Sequence, residues 1–162
     1  MTAQQIITDD VRVRIEAAIH AAEQGTSGEI RVHIEDTYRQ GWTLFRKAEQ
    51  SLLDRAAFVF DQLEMNKTQA RNGVLLYLSV LDHKAAIMGD IGINMLVDEH
   101  YWKDALHLFT RNARELGIEA AIIQTIEHIG EKVKELFPIQ PDDVNELPNT
   151  ITIGHKDINK KR

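Results

Sequence analysis

Hydrophobic residues follow two different spacings in the first half of the chain. After a Thr-Asp-Asp cap at Thr8 they recur every three or four positions as far as Gly25, which predicts a capped helix. Residues 29–34 alternate apolar and polar side chains, which predicts a strand with one face partly in water. Residues 74–81 are almost continuously apolar, as in a central strand that is covered on both faces.

Turn and helix-end signals divide the remainder of the chain. Gly117 and Pro138 mark two helix ends, because glycine caps a helix and proline cannot continue one. Phe45 starts the apolar stripe of a helix that follows the first strand. After that strand we therefore predict a helix over 45–63, strands over 74–81 and 85–88 joined by a turn at 82–84, helices over 98–116 and 118–137, and a short strand over 151–153.

This order of elements predicts a single α/β domain over residues 1–153, followed by a polar, basic tail over 154–162. The helix between the first two strands makes them parallel, with a right-handed crossover. The tight turn makes the third strand antiparallel to the second. The expected fold is a three-layer sandwich, in which helices flank both faces of a mixed, roughly four-stranded sheet.

Polar residues gather at one end of this predicted sheet. The topology places Glu29, Asn72 and Asp90 at the same end, with Arg71 beside them. Carboxylate, amide and carbonyl oxygens are the ligands that Ca²⁺ and Mg²⁺ prefer, so the first three are candidate metal ligands. Arg71 suits a phosphate or a carboxylate. A structural explanation stays open, in which Glu29 pairs with Arg71 and Asp90 serves its own turn.

Three other sets of polar residues have simpler explanations than a binding site. The opposite end of the sheet gathers Asp36, Asp82 and His83. Parallel strands often bind ligands at that end, but ordinary hairpin chemistry also explains these residues. A set at helical spacing, interpreted as a solvated helix face, comprises His100, Asp104 and His107. Apolar neighbours place two more histidines at the edge of the core: His20 and His128.

Composition narrows the classes of function. The net charge of -6 argues against nucleic acid as a partner, because such proteins normally present a basic face. The absence of cysteine excludes disulfides and a thiol nucleophile. The sequence shows neither a signal peptide nor an apolar run of about 18 residues, the length of a membrane span. We therefore expect a cytoplasmic, monomeric protein without a membrane span.

Three motifs resemble those of the TPM domain family, also called the TPM phosphatase family. They are Thr-Ser-Gly-Glu-Ile before the first strand, Arg-Asn-Gly-Val-Leu at the second and Gly-Asp-x-Gly-Ile after the third. The resemblance covers residues 11–153, and Asn-Glu-Leu-Pro near the end is similar to the short, soluble bacterial branch. It implies a mixed four-stranded sheet flanked by helices, and the binding of a divalent metal, calcium especially. A plant relative from the thylakoid lumen is described as an acid phosphatase.

The sequence departs from the family pattern at two points. Many relatives have a signal peptide, a membrane-anchoring tail or both, and neither is present here. Longer relatives have a Gly-Leu-Glu motif after the third strand, and the matching acidic position here is Asn94. This difference removes one candidate charge from the expected metal site.

These observations lead to two main hypotheses. We prefer a calcium-binding module that acts in binding or assembly, with a protein as its partner. The alternative is a metal-dependent acid phosphatase acting on a phosphate ester. In that case the ion held by Glu29, Asn72 and Asp90 activates water, and Arg71 has the catalytic role of neutralising developing charge. A stand-alone assembly factor without a ligand is a third hypothesis.

Overall fold

The computed structural model describes residues 1–39 and 48–159, so Phe45 lies outside the described residues. A short helix at Ala3–Ile6 precedes the first predicted helix, and a 3₁₀ turn at Met65–Lys67 precedes the central strand. In chain order the elements are α1 (Ala3–Ile6), α2 (Asp9–Glu23), β1 (Glu29–Glu35), α3 (Ala48–Gln62), β2 (Gly73–Ser79), β3 (Lys84–Gly89), α4 (Ile91–Asn94), α5 (Tyr101–Leu116), α6 (Ile118–Leu136), β4 (Thr152–Ile153) and α7 (Gly154–Asn159).

The four strands form one mixed sheet in the order β3-β2-β1-β4. β1 is parallel to both β2 and β4, whereas β3 is antiparallel to β2. The predicted mixed α/β fold is therefore confirmed, and the short strand over 151–153 is present as β4. β2 is shorter than predicted, because Val80 and Leu81 belong to the turn that leads into β3.

The helix ends follow the predicted cap chemistry. The hydroxyl of Thr8 accepts a hydrogen bond from the backbone N–H of Val11, which satisfies one free amide at the start of α2. Gly25 follows the C-cap of that helix with a φ of 81°, a left-handed conformation that favours glycine. Gly117, with a φ of 95°, separates α5 from α6 in the same way. Both glycines allow the chain to reverse sharply at a helix end.

Each face of the sheet has its own hydrophobic cluster. On one face the even-numbered residues of β1 and β2 pack with α2, α5 and α6, and Ile19, Phe109 and Ile122 are among the buried members. On the other face Leu75 and Tyr77 of β2 pack with residues of α3 and α7. The sheet is thus the middle layer of a three-layer sandwich, as the sequence predicts.

The prediction that one face of β1 is partly wet is wrong. All seven residues of the strand are buried, including the charged residues of its polar face. The strand lies between β2 and β4, and α7 and the segment around Leu147 contribute to the cluster on that face. The alternation of apolar and polar residues therefore separates a hydrophobic layer from a buried polar layer rather than from solvent.

Two further expectations need correction. His20 and His128 are exposed rather than at the edge of the core, because they lie on the outer sides of α2 and α6. Residues 154–159, assigned by sequence to a polar tail, form α7. Ile158 of this helix is only 4% exposed and joins the hydrophobic cluster under α3. The folded unit therefore extends into the residues that were assigned to the tail.

Candidate functional site

The strand register places the predicted site residues at one end of the sheet. Glu29 at the start of β1 is aligned with Gly73 of β2, and Val74 is aligned with Gly89 at the end of β3. The backbone N–H of Asp90 donates to the carbonyl of Gly73 at 2.9 Å. Glu29, Asn72 and Asp90 therefore lie on neighbouring strands at the same end of the sheet, as the topology predicts.

Asp90 is held by Arg71 in a bidentate ion pair. Arg71 Nε lies 2.7 Å from Asp90 Oδ2, and Arg71 Nη2 lies 2.9 Å from Oδ1. Asp90 Oδ1 also accepts from the N–H of Ile91 at the start of α4. The carboxylate is 4% exposed, whereas the arginine side chain is 41% exposed. The alternative pairing of Arg71 with Glu29 is therefore wrong, and Asp90 is the partner.

The backbone around Arg71 is fixed by close packing against α4. Arg71 has a φ of 52°, an uncommon left-handed conformation for a residue with a side chain. Its carbonyl accepts from the N–H of Gly92 at 2.8 Å. A Cβ atom at Gly92 would overlap the carbonyl oxygen of Ala70, so glycine is required there for the two segments to meet. This contact aligns the Arg71 guanidinium with Asp90.

Asn72 is fully buried, and its amide is only half satisfied. The Nδ2 atom donates to Ser27 Oγ at a long 3.4 Å. The Oδ1 atom has no hydrogen-bond donor among the described residues. A buried carbonyl oxygen without a donor costs free energy, so it is a natural position for an ordered water molecule or a cation.

Glu29 is enclosed by the segment that follows α6. Its Oε1 atom accepts from the backbone N–H of Glu146 at 2.7 Å. When the amide of Asn145 is oriented to donate, its nitrogen lies 2.9 Å from Oε2 of Glu29. Burial raises the pKa of Glu29, and the backbone N–H of Glu146 only partly offsets this effect. Arg31 of the same strand interacts electrostatically with Glu29, but the pKa of Glu29 stays raised.

A second carboxyl group, the partly buried Glu23 at the end of α2, interacts with Glu29. Glu23 Oε1 accepts from the N–H of Ile30 at 3.0 Å. Burial raises the pKa of Glu23, and the nearby charge of Glu29 raises it further. Both residues line a polar pocket of about 160 Å³ that also contains Asn145 and Asp143. Sequence reasoning missed Glu23, although its place in the last turn before Gly25 could have indicated proximity to β1.

These oxygens do not form a complete metal-binding cluster. Among the described residues, no group of three histidine, aspartate or glutamate side chains is arranged to hold a metal ion. No hydrogen bond or ion pair joins Glu29, Asn72 and Asp90 to one another in the described part of the chain. The donor set suits a hard cation in its chemistry, but the carboxylate of Asp90 is already occupied by Arg71.

Asn94 has a structural role that an acidic residue could not fill. Its Nδ2 atom donates to the carbonyl of Gly89 at 2.8 Å, and its Oδ1 atom accepts from the indole N–H of Trp102 at 2.7 Å. A carboxylate could replace the acceptor but not the donor. The amide thus links the end of β3 to α5.

The other polar sets have the structural roles that the sequence favours. Asp82 Oδ2 accepts from the hydroxyls of Thr37 and Ser79, which ties the hairpin turn to the end of β1. Asp36 accepts from the backbone N–H of Ala3 at 2.7 Å. The solvated set on α5 is exposed throughout: His100, Asp104 and His107.

A buried polar network on β1 was also missed by sequence reasoning. Arg55 of α3 forms a bidentate ion pair with Glu35, at 2.7 and 2.8 Å, and the hydroxyl of Tyr77 donates to the same carboxylate. Burial by itself would raise the pKa of Glu35, but interactions with Arg55, His33 and Tyr77 lower it to about 2. His33 Nδ1 lies 2.7 Å from the hydroxyl of Thr152 on β4. The network fastens α3 and β4 to the sheet.

Comparison with known proteins identifies the family. A model of the TPM domain matches residues 1–132, most of the chain. The chain belongs to the TPM domain family. The resemblance inferred from the three motifs is thus confirmed. The segment of this TPM domain that encloses Glu29 lies beyond the matched residues.

Two solved structures are similar to this TPM domain. The NMR structure of the BA42 protein from the psychrophilic bacterium Bizionia argentinensis is 35% identical, with a TM-score of 0.81, and the match covers 94% of this chain and 98% of that one. The N-terminal domain of the cg2496 protein from Corynebacterium glutamicum is 12% identical, with a TM-score of 0.55, over 81% of this chain and 76% of that one. The second likeness concerns the fold alone. No curated protein matches the sequence.

A membrane-spanning helix is not found in this TPM domain. Across residues 1–39 and 48–159, no helix combines the length and the apolar character that a bilayer crossing requires.

Proposed function

We propose that this TPM domain is a divalent-cation-binding module, with calcium as its expected ion. Glu29, Asn72 and Asp90 are the proposed ligands. The observation that carries the proposal is the Oδ1 atom of Asn72, a fully buried oxygen without a donor among the described residues. It lies at the end of the sheet that also carries the buried carboxyl groups of Glu29 and Asp90. An oxygen-rich edge of this kind suits a hard cation.

The electrostatics of Glu29 support the same proposal. Burial raises the pKa of Glu29, and it also raises the pKa of the neighbouring Glu23. Both carboxyl groups therefore favour their protonated forms more than exposed carboxyl groups do. A divalent cation would displace these protons and add positive charge beside the carboxylates, so ion binding should release protons.

Arg71 determines whether Asp90 is available as a ligand for the cation. In the absence of an ion, the guanidinium provides the positive charge that the buried carboxylate needs. Because the arginine side chain is 41% exposed, it has room to move away from Asp90. A cation and Arg71 therefore compete for the same carboxylate. Ion binding would release Arg71 toward solvent, where it is available to an anionic group of a partner.

Amide NMR of the ¹⁵N-labelled protein during titration with CaCl₂ and then MgCl₂ tests the proposal. We expect joint shifts in residues 26–29, 70–73 and 89–94, and none at Asp36, Asp82 or His100. Asp90→Asn should abolish or strongly weaken the response, because it replaces a charged ligand by a neutral one. Asp104→Asn, an exposed change of the same kind on α5, is the matched control. Shifts confined to the region of Asp82, or no saturable shifts, would refute the site.

A metal-dependent acid phosphatase is the second candidate function, and the position of Arg71 supports it. A partly exposed guanidinium beside a cation site could neutralise charge on a phosphoryl group. We expect slow hydrolysis of an aryl phosphate ester that a chelator abolishes. Arg71→Ala should then reduce the rate more than it changes ion affinity. Hydrolysis that survives both chelation and Asp90→Asn would place the chemistry elsewhere, and calcium binding without hydrolysis would leave the binding module as the function.

A further inference from the structure

A second cavity lies at the opposite end of the sheet from Asp90. It has a volume of about 390 Å³ and is bounded by the end of β2, the start of β3, the last turns of α5 and the start of α6. This volume is within the range of small-molecule sites, roughly 300–1,000 Å³. The cavity also lies where β2 ends, and open α/β sheets commonly bind ligands beyond the carboxyl ends of their parallel strands.

The floor of the cavity is apolar. Leu78 of β2 and Phe109 of α5 are buried members of the hydrophobic cluster on this face, and Ala113 of α5 packs against that cluster. The cavity is therefore an opening in the side of the core. A ligand with an apolar body would remove this surface from water, which is the main source of affinity in such sites.

The rim of the cavity is cationic. His83, Lys84 and Arg114 line it and are exposed, and no aspartate or glutamate is found among the described residues of the lining. No side-chain hydrogen bond or ion pair joins these three residues to another described residue. The arrangement contrasts with the whole chain, in which 25 acidic residues outnumber 19 lysines and arginines. Positive charge at this opening should attract an anion and disfavour a cation.

We propose that this cavity binds a small amphipathic carboxylate, an aliphatic or aromatic acid. Its apolar body would rest on Leu78, Phe109 and Ala113. Its carboxylate would reach Arg114, whose planar guanidinium matches a carboxylate, with Lys84 adding positive charge and His83 offering a hydrogen bond. Inorganic phosphate would leave the apolar floor uncovered, and an apolar molecule without charge would leave the cations without a partner. This site is separate from the cation site and does not rest on the function proposed there.

Amide NMR of the full-length protein tests the proposal with five probes of related shape or charge. They are sodium octanoate, 1-octanol, octylammonium chloride and sodium phosphate, and benzoate serves as an aromatic acid. Octanoate should produce saturable shifts in residues 78–85 and 109–118. Octanol should bind more weakly at the same residues, and octylammonium and phosphate should not saturate. A lower Kd for benzoate than for octanoate would identify the preferred acid as aromatic.

Variants separate the contribution of charge from that of shape. Arg114→Gln should weaken octanoate binding about threefold to fivefold, the effect of one exposed ion pair, without changing octanol binding. Arg111→Gln, at an exposed position of α5 outside the cavity lining, is the matched control and should change neither. Ala113→Leu fills the cavity and should weaken both ligands. Equal binding of octylammonium, an equal effect of Arg111→Gln, or unchanged binding by Ala113→Leu would each overturn the proposal.

Discussion

Removing the buried arginine beneath β1 should destabilise the protein strongly. Arg55 is 5% exposed and Glu35 is 1% exposed, so Arg55→Met would leave a buried carboxylate without its counter-charge. Breaking a buried ion pair in this way typically costs about 3–5 kcal/mol. The pKa of Glu35 points in the same direction, because its lowering from 4.5 to about 2 by Arg55, His33 and Tyr77 together corresponds to about 3 kcal/mol of stability at neutral pH.

The pH dependence identifies the residue responsible. Because the pKa of Glu35 is lower in the folded than in the unfolded protein, its stabilisation is present above pH 4.5 and is lost as the pH falls toward 2. Arg55→Met should remove this acid dependence as well as stability at pH 7. The double variant with Glu35→Gln should recover part of the loss, because no charge is then buried.

Urea unfolding followed by circular dichroism, at pH 7 and at several values between 4.5 and 3, measures both effects. Arg111→Met, an exposed change on α5, should alter stability by less than about 0.5 kcal/mol. A loss below about 1 kcal/mol for Arg55→Met, or an unchanged acid dependence, would refute the assignment of a stabilising role to this pair.

Three further predictions concern the end of the sheet that carries Asp90. Arg71→Ala should tighten calcium binding in calorimetric titrations, because calcium then no longer competes with the guanidinium for Asp90. Arg111→Ala removes the same charge and should change the affinity less. Equal or weaker calcium binding by Arg71→Ala would refute competition. Calcium affinity should decrease between pH 8 and pH 6. The raised pKa of Glu29 lets protons compete with calcium at pH values well above the usual carboxyl range. An affinity that does not change with pH would count against Glu29 as a ligand. Asn94→Glu should lower the free energy of unfolding by about 1–2 kcal/mol, because the carbonyl of Gly89 loses its hydrogen-bond donor. A variant as stable as the wild type would show that this hydrogen bond contributes little.

Hydrophobic periodicity and cap chemistry were sufficient to predict the sheet and most helices. The parallel pairing of β1 with β2 follows from one crossover, and the position of Asp90 near Gly73 follows from that pairing. The burial of β1 could not be predicted in the same way. Alternation shows that two faces differ in polarity, but whether the polar face meets water depends on distant segments. Here Arg55 lies 20 residues after Glu35, and Thr152 lies 119 residues after His33.

The details of the candidate site depended on similar long-range contacts. Sequence spacing placed Glu29 and Asp90 at one edge, but it could not decide which of them Arg71 contacts. That choice depends on the left-handed conformation of Arg71 and on its packing against α4. The enclosure of Glu29 by the backbone of Glu146 joins residues 117 positions apart, in a segment without regular structure. No local pattern in the sequence indicates such a contact.

The two proposed sites should bind their ligands independently, although their charges are opposite. They lie at the two ends of β2, a strand of seven residues, and are therefore separated by about 20 Å at 3.3 Å per residue. Charges at that distance are largely screened at physiological salt, where the Debye length is about 8 Å. Saturating calcium should therefore leave octanoate affinity unchanged, and octanoate should leave calcium affinity unchanged. Linkage requires any coupling to be reciprocal, so titrating each ligand with and without the other gives two measurements of one quantity. Equal, substantial effects in both directions would show that the sheet itself changes conformation when either end is occupied, which its fully buried central strands argue against.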